Sequence, residues 1–422
     1  MHVFVTGAGG MIGRATVRHL SAQGHTVVAL VRRPRDITFG HPNIRWVLGD
    51  VRNPSILQDG MKNCDAVVHL AARKSDEPDS RAINVEGTRN MLQAANEAKI
   101  KHVIQISTIS TKFKDRGTYG QTKSEADEWV MKSPLDTTIL KLSVVYADLD
   151  SGIFGSLARY AKLPFVPLVG PGLSTSRPIY VDDVAIAIEK IVRDPSRGHK
   201  VYELGGPEIV TLNELTEKIA QEVRHGHARI LHIPLWLGFV IARIFSILPK
   251  APITRSNIVG MNAMATVATE AFYKRYQYKA RTIEQGLAHI RQQSAAMKTE
   301  AYAIMRYISG GQTSDFYVDL YRKALARHLA QKESERPAVS SMVLGALDAI
   351  TKFTAPRGTL RTKLAIAAAI YETSPMSADM VLPQKRSLVA VVFTAVRGGI
   401  SSVFKLLLGS VLRFTAIYAD HT

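Results

Sequence analysis

The chain has 422 residues, too many for one ordinary domain, so two or three units are the natural expectation. An apolar fraction of 46% suffices for sizeable cores, and the single cysteine, Cys64, excludes a disulfide framework or a Cys-rich metal site and suits a reducing compartment. The formal charge of +18 is carried by dispersed residues without a helix–turn–helix or aromatic-plus-basic signature, which argues against nucleic acid and leaves an anionic cofactor or a membrane surface as the attracted partner.

His2–Thr6 is a short apolar run that reads as a buried strand. It starts so early that no signal peptide is expected before it. It enters Gly7-Ala-Gly-Gly10-Met-Ile-Gly13, and an apolar-periodic segment, Met11–Gln23, reads as a helix. In this strand–turn–helix setting Gly7 is expected to allow a tight turn, Gly10 to let a pyrophosphate approach the backbone, and Gly13 to let the helix pack on the strand. Met11 and Ile12 open the helix, whose first N–H groups and positive dipole end would face the phosphates.

Further strands are expected at Thr26–Val31, Ile44–Leu48, Ala66–Leu70, His102–Ser107 and Thr137–Leu142, with helices at Pro54–Met61, Ser80–Ala98 and Thr118–Met131. This alternation predicts an α/β fold, a Rossmann-type doubly wound parallel sheet. Residues 1–145 would form the dinucleotide-binding core. Residues 146–291 would supply a small α/β substrate domain, interleaved with core elements that return at about 178–204. Within them the pattern predicts a helix at Asp183–Arg193, a strand at Lys200–Leu204 and a helix at Thr211–Arg224, with Thr211 and Glu214 as a capping box. Residues 292–422 read as a mostly helical C-terminal module, with helices at Ala301–Ile308, Phe316–Ala330 and Thr362–Glu372.

The end of the second strand carries Arg32 and Arg33 where an NAD-preferring site would carry a carboxylate. Guanidinium groups attract a ribose 2′-phosphate, so NADP(H) is expected in preference to NAD(H). After the third strand, Asp50 would accept from the adenine amino group while Val51 packs on the ring. Ala71 and Ala72, at the end of the fourth strand, would line the cofactor channel, and Asn84 and Gly87 read as packing devices.

Ser107-Thr-Ile-Ser-Thr111 ends the fifth strand and Tyr119-Gly-Gln-Thr-Lys123 opens the next helix. Tyr and Lys four residues apart share a helix face. The ammonium is expected to lower the phenol pKa for proton exchange with a carbonyl or alcohol, and a nearby hydroxyl to hold the substrate oxygen. No metal is expected, because the histidines show no ligand spacing.

Together with His69-Leu-Ala-Ala72, Asn84-Val-Glu-Gly-Thr88 and Arg177-Pro-Ile-Tyr-Val-Asp-Asp-Val-Ala185, these motifs resemble the extended short-chain dehydrogenases/reductases, also called the NAD-dependent epimerase/dehydratase family. The resemblance covers about residues 1–290. It implies Tyr119 as acid/base, Lys123 as ligand of the nicotinamide ribose, and Thr108 as the substrate hydroxyl, with Ser107 and Ser110 competing. It also implies a homodimer through the helices carrying Asn84 and Tyr119. Lys141-Leu-Ser-Val-Val-Tyr-Ala147 replaces the usual Arg-Pro-x-x-Val-Tyr-Gly, and Arg177-Pro-Ile replaces Arg-Asp-Phe. Both departures point away from nucleotide sugars and are similar to the branch that holds the NADPH-binding accessory subunit of respiratory complex I.

Leu235 to Leu248 is apolar but too short to span a bilayer, and it reads equally as a core or an interfacial helix. Ser387 to Tyr418 is apolar with Arg397, Lys405 and Arg413 along one flank, as in interfacial helices. The expectation is a cytoplasmic chain, peripheral on the inner face of a membrane, that works as an NADP(H) oxidoreductase on a lipophilic carbonyl or alcohol. The alternatives are a non-catalytic NADPH-binding subunit of a membrane complex and a nucleotide-sugar epimerase/dehydratase.

Overall fold

The computed structural model describes residues 1–292, apart from 38–40, 75–78, 114–115, 197, 246–254 and 263–265. The expected C-terminal helices and the apolar segment Ser387 to Tyr418 lie outside the described residues. The chain divides into two compact units, Met1–Gln292 and Gln293–Thr422.

In the first unit β1 (His2–Thr6), α1 (Met11–Ala22), β2 (Thr26–Val31), β3 (Ile44–Leu48), α2 (Pro54–Met61) and β4 (Ala66–His69) follow in order. A turn of helix, α3 (Asp79–Arg81), leads through a π-helical turn at Ala82–Glu86 into α4 (Gly87–Glu97). Then come β5 (His102–Thr108), α5 (Gly117–Met131), β6 (Thr137–Leu142), β7 (Val145–Tyr146), α6 (Gly152–Tyr160), β8 (Val166–Val169), β9 (Thr175–Ser176), β10 (Ile179–Tyr180) and α7 (Val181–Arg193). The described chain continues with β11 (Lys200–Leu204), β12 (Val210–Thr211), α8 (Leu212–Arg224), β13 (Ile230–Ile233), α9 (Leu235–Phe245), α10 (Arg255–Asn262) and α11 (Glu270–Tyr276).

Seven strands form one parallel sheet in the order β11-β6-β5-β4-β1-β2-β3. Strand residues alternate between its two faces, as a period of two requires. Val3, Val5, Val27 and Ala29 join Val17 and Leu20 of α1 and Ile188 and Ile191 of α7 in one core. Phe4, Val28 and Leu30 face the other way, against Leu57 and Met61 of α2, Met91 of α4 and Val130 of α5. β1 and β2 are therefore apolar on both sides, which is why these runs are nearly unbroken in the sequence. A third core, with Phe154, Leu157, Val166, Leu168, Leu215 and Ile219, lies beyond the strand ends and is closed by Ile283 and Leu287.

The expected helix Ser80–Ala98 is interrupted by the π turn. Asn84 is the cause. Its amide oxygen accepts from Arg73 N at 2.8 Å, while its Nδ2 donates to Arg73 O at 3.0 Å and to Thr122 Oγ1 at 2.9 Å. These tertiary bonds outweigh regular helical spacing, and such bulges recur near functional sites. Asn84 and Gly87 do act as packing devices: a Cβ on Gly87 would lie 2.6 Å from Val51 Cγ2.

Thr211 caps α8, with the reciprocal Glu214 bond that completes the expected box. The chain after α11 is tied back to α7 by Asp183, which accepts from Tyr278 Oη at 2.6 Å and Arg281 Nη1 at 2.9 Å.

Candidate cofactor and active site

The first β–α turn has the geometry expected of it. Gly7 adopts φ +66°, and a Cβ there would stand 2.6 Å from Ala71 N, so the turn is pressed onto the end of β4. A Cβ on Gly13 would stand 2.2 Å from Gly7 O, which fixes the close seat of α1. At Gly10 an added Cβ would meet only Gly7 O, at 3.3 Å. Gly10 caps α1 without a side chain, and no acid stands in the first turn. The helix therefore presents Met11, Ile12 and uncapped N–H groups to an open backbone, a cradle that fits a pyrophosphate.

Behind the turn, His69 is fully buried and bridges strand ends: its Nδ1 lies 2.8 Å from Thr6 Oγ1 and its Nε2 3.2 Å from Thr88 Oγ1. Burial, and then the Lys123 charge, pushes its pKa down to about 3, so the ring is a neutral tie. Ala71 N donates to Thr6 Oγ1 at 3.2 Å, and Ala72 beside it is exposed.

Where the adenosine is expected, the structure changes the partners of the predicted residues. Arg33 Nε and Nη2 donate to the Asp36 carboxylate at 3.2 and 3.1 Å, so its fork is already occupied. Asp36 escaped the sequence analysis. It is buried against the glycine loop, where a Cβ on Gly9 would lie 2.5 Å from its own Cβ. The Arg-Arg-Pro-Arg-Asp run was its only signal. Arg32 is exposed. Asp50 receives Arg52 N at 2.9 Å and the Arg52 guanidinium at 3.0 Å, so the expected adenine acceptor shares its carboxylate with a neighbour. Partial burial raises the Asp50 carboxyl, but the Arg52 bonds and the charges of Arg52 and Arg32 hold it below the usual range. Val51 is buried beneath it.

Where the nicotinamide is expected, α5 carries Tyr119 and Lys123. Lys123 is buried and donates from Nζ to Ile106 O at 2.7 Å, which pins α5 to β5. Tyr119 is next to Gly120, whose Cβ would stand 3.0 Å from Ser110 O; α5 thus begins against the loop that bears the hydroxyls. Thr108 Oγ1 and Ser110 Oγ are 2.9 Å apart and half-buried. Ser107 is withdrawn from competition, because its hydroxyl donates at 2.7 Å to the buried Asp127.

The electrostatics run opposite to the expected direction. Burial, then the Asp127 charge, pushes the Tyr119 phenol up to about 12. Burial brings Lys123 down to about 8, although Asp127 opposes the shift. The lysine favours the interior carbonyl and carboxylate, so desolvation decides the tyrosine's pKa. Asp127 also lies 3.5 Å from Lys141 Nζ, which donates to Thr111 Oγ1 at 2.9 Å. Sequence spacing could not reveal this carboxylate: its partners come from β5 and β6.

Toward the third core, Arg177 Nη1 is bound to Thr269 and, at 2.8 Å, to Glu270. Cys64 is half-buried and raised to about 11 by burial, in keeping with a structural thiol.

Residues 7–154 match the sequence profile of the NAD(P)H-binding family. The chain is 32% identical to the low-salt glycan biosynthesis protein Agl12 of Haloferax volcanii, over 53% of this chain and 83% of that one. It is 26% identical to a 2-alkyl-3-oxoalkanoate reductase of Stenotrophomonas maltophilia, over 70% of this chain and all of that enzyme. To the mitochondrial NADH dehydrogenase [ubiquinone] 1 alpha subcomplex subunit 9 of Arabidopsis thaliana it is 28% identical, spanning 57% of that subunit. Among solved structures, MoeE5 in complex with UDP-glucose and NAD superposes with a TM-score of 0.54 at 22% identity, over 70% of this chain and all of that one. With its glycine-loop cradle and seven-stranded parallel sheet, the chain belongs to the NAD(P)-binding extended short-chain dehydrogenases/reductases, the NAD-dependent epimerase/dehydratase family.

Proposed function

We propose that the chain is an NADP(H)-dependent oxidoreductase that reduces a carbonyl of a lipophilic substrate, or oxidises the corresponding alcohol. The observation that carries this reading is the intact Tyr119–Lys123 pair on α5, with Lys123 anchored to the end of β5 beside the glycine-loop strand ends. The nicotinamide, when bound, supplies or accepts the hydride. Gly7, Gly10 and Gly13 with the N-terminus of α1 would hold the pyrophosphate, and Arg32 would meet the 2′-phosphate. Thr108, paired with Ser110, would hold the substrate oxygen. Tyr119 Oη would deliver the proton to that oxygen and take it back in oxidation. The similarity to a 2-alkyl-3-oxoalkanoate reductase supports an alkyl ketone or keto acid as substrate class. Exposed Trp129 of α5, with Arg89 of α4 over its ring, suits a homodimer through those two helices.

A second reading, an NADPH-binding subunit without turnover, is favoured by the Tyr119 pKa and by the similarity to the complex I subunit. A nucleotide-sugar substrate is disfavoured by Arg177, whose guanidinium is held by Glu270 and Thr269 on the substrate side. Tyr119→Phe separates the first two. NADPH oxidation with 2-alkyl-3-oxoalkanoates of graded chain length should fall by at least about 100-fold, with NADPH affinity within about twofold. Equal turnover in the variant would refute the role of Tyr119. No turnover by the parent chain, with NADPH still bound, would favour the second reading.

A further inference from the structure

Helix α9 has the reverse of an ordinary surface helix's polarity. Its sequence, Leu-Trp-Leu-Gly-Phe-Val-Ile-Ala-Arg-Ile-Phe, is almost entirely apolar, yet the residues it buries are the small ones, Gly238 and Ala242. They are four apart, on one face, and seat the helix on the strand end: a Cβ on Gly238 would lie 2.2 Å from Val169 Cγ1, and Ala242 joins Val169 and Ile258 in a small core. The large side chains point outward. Trp236 is 68% exposed, Ile244 62% and Val240 46%, with Leu235, Phe239 and Phe245 exposed beside them. A helix that hides its small residues and displays its bulky ones is built to bury that surface elsewhere.

The charge around it indicates what covers it. The chain has 36 Asp and Glu residues, but none falls between Arg224 and Thr269, a stretch that carries Arg224, Arg229, Arg243, Lys250 and Arg255 and the histidines 225, 227 and 232. On the paired strand β8 the flanking segment from Arg159 to Gly170 likewise has Arg159 and Lys162 and no acid. Glu217 of α8 reaches into this stretch and is bound to His227 and to Ala228 N. An apolar helix led by an exposed tryptophan, in a stretch of chain that carries basic residues and no acid, complements an anionic lipid surface, where indole and aliphatic groups enter the acyl boundary and cations meet headgroups. Among the described residues no helix is long and apolar enough to cross a membrane, so α9 would lie in the interface.

We propose that α9 is a membrane-docking helix that seats the chain on an anionic bilayer through Trp236, Val240 and Ile244. This deepens the proposed function and rests on it only for the lipophilic nature of the substrate: the docked face would be where that substrate arrives.

The full chain is mixed with phosphatidylcholine vesicles, with or without phosphatidylglycerol and brominated acyl chains. Binding should be about tenfold tighter with phosphatidylglycerol present. Brominated lipid should quench a tryptophan component that disappears in Trp236→Phe, leaving the emission of Trp46 and Trp129 unquenched. Val240→Glu with Ile244→Glu should weaken binding about tenfold, with NADPH affinity unchanged as the sign of an intact fold. If that pair does not fold, the quenching of Trp236 decides alone. Vesicle binding without quenching of Trp236 would mean that another segment docks the chain, and would overturn the proposal. Absence of binding would also overturn it, as would a change in oligomeric mass in the glutamate variant, the sign of a protein occupant. Tyr119→Phe should bind vesicles as the parent does, so failure of the catalytic reading and failure of docking are separable.

Discussion

Tyr119 lies in surroundings that push its phenol up to about 12, and Lys123, four residues on, is brought down to about 8. Both shifts begin with burial, and the lysine's has a consequence for stability. A free lysine titrates at 10.5, so between about pH 8 and about pH 10 the unfolded chain binds a proton that the folded chain has released. Unfolding free energy should rise with pH through that window and be flat with respect to this group below it. Lys123→Met should remove the rise. Denaturant titrations at several pH values check both. In the proposed NADP(H) site the 2′-phosphate would meet a single residue, Arg32. With Arg33 held by Asp36, Arg32→Glu should weaken NADP(H) binding by about tenfold or more and leave NAD(H) nearly unchanged, measured by calorimetry. An equal loss for both cofactors would place the 2′-phosphate elsewhere.

The elements that depend on local pattern were legible, and those that depend on distant partners were not. Strand runs such as Thr26–Val31 were plain because both of their faces are buried, and the Thr211–Glu214 cap because its bonds close within one turn. The π turn at Ala82–Glu86 was hidden, since Arg73 and Thr122, which hold Asn84, are remote in sequence. The glycine loop lies between these cases. Its spacing announced a turn, but the reason Gly7, Gly9 and Gly13 lack a side chain is the neighbour each one touches. Gly13→Ala should force a Cβ into the Gly7 carbonyl, cost about 2 kcal/mol in denaturation and weaken NADPH binding by about tenfold. Parent-like stability in that variant would mean that α1 can lift from β1 without cost.

At the scale of the molecule, alternating strand and helix patterns sufficed to deduce a parallel, doubly wound sheet, and seven strands in the order β11-β6-β5-β4-β1-β2-β3 form it. The return of the chain to the sheet through α7 and β11 was also readable, from the apolar periodicity of those segments. Leu235 to Leu248 was not decidable in this way, because a helix apolar on every side carries no record of which side is covered. Only its seat on Val169, through Gly238 and Ala242, shows which residues are left outside. The same division holds at the site. Periodicity, turn chemistry and the spacing of glycine, tyrosine and lysine are local properties of the chain, so the nucleotide-binding architecture and the candidate residues could be read from order alone. Burial and pairing are properties of residues far apart in the chain, so Arg33's commitment to Asp36, Ser107's to Asp127 and the outward face of α9 existed only once the chain had closed on itself.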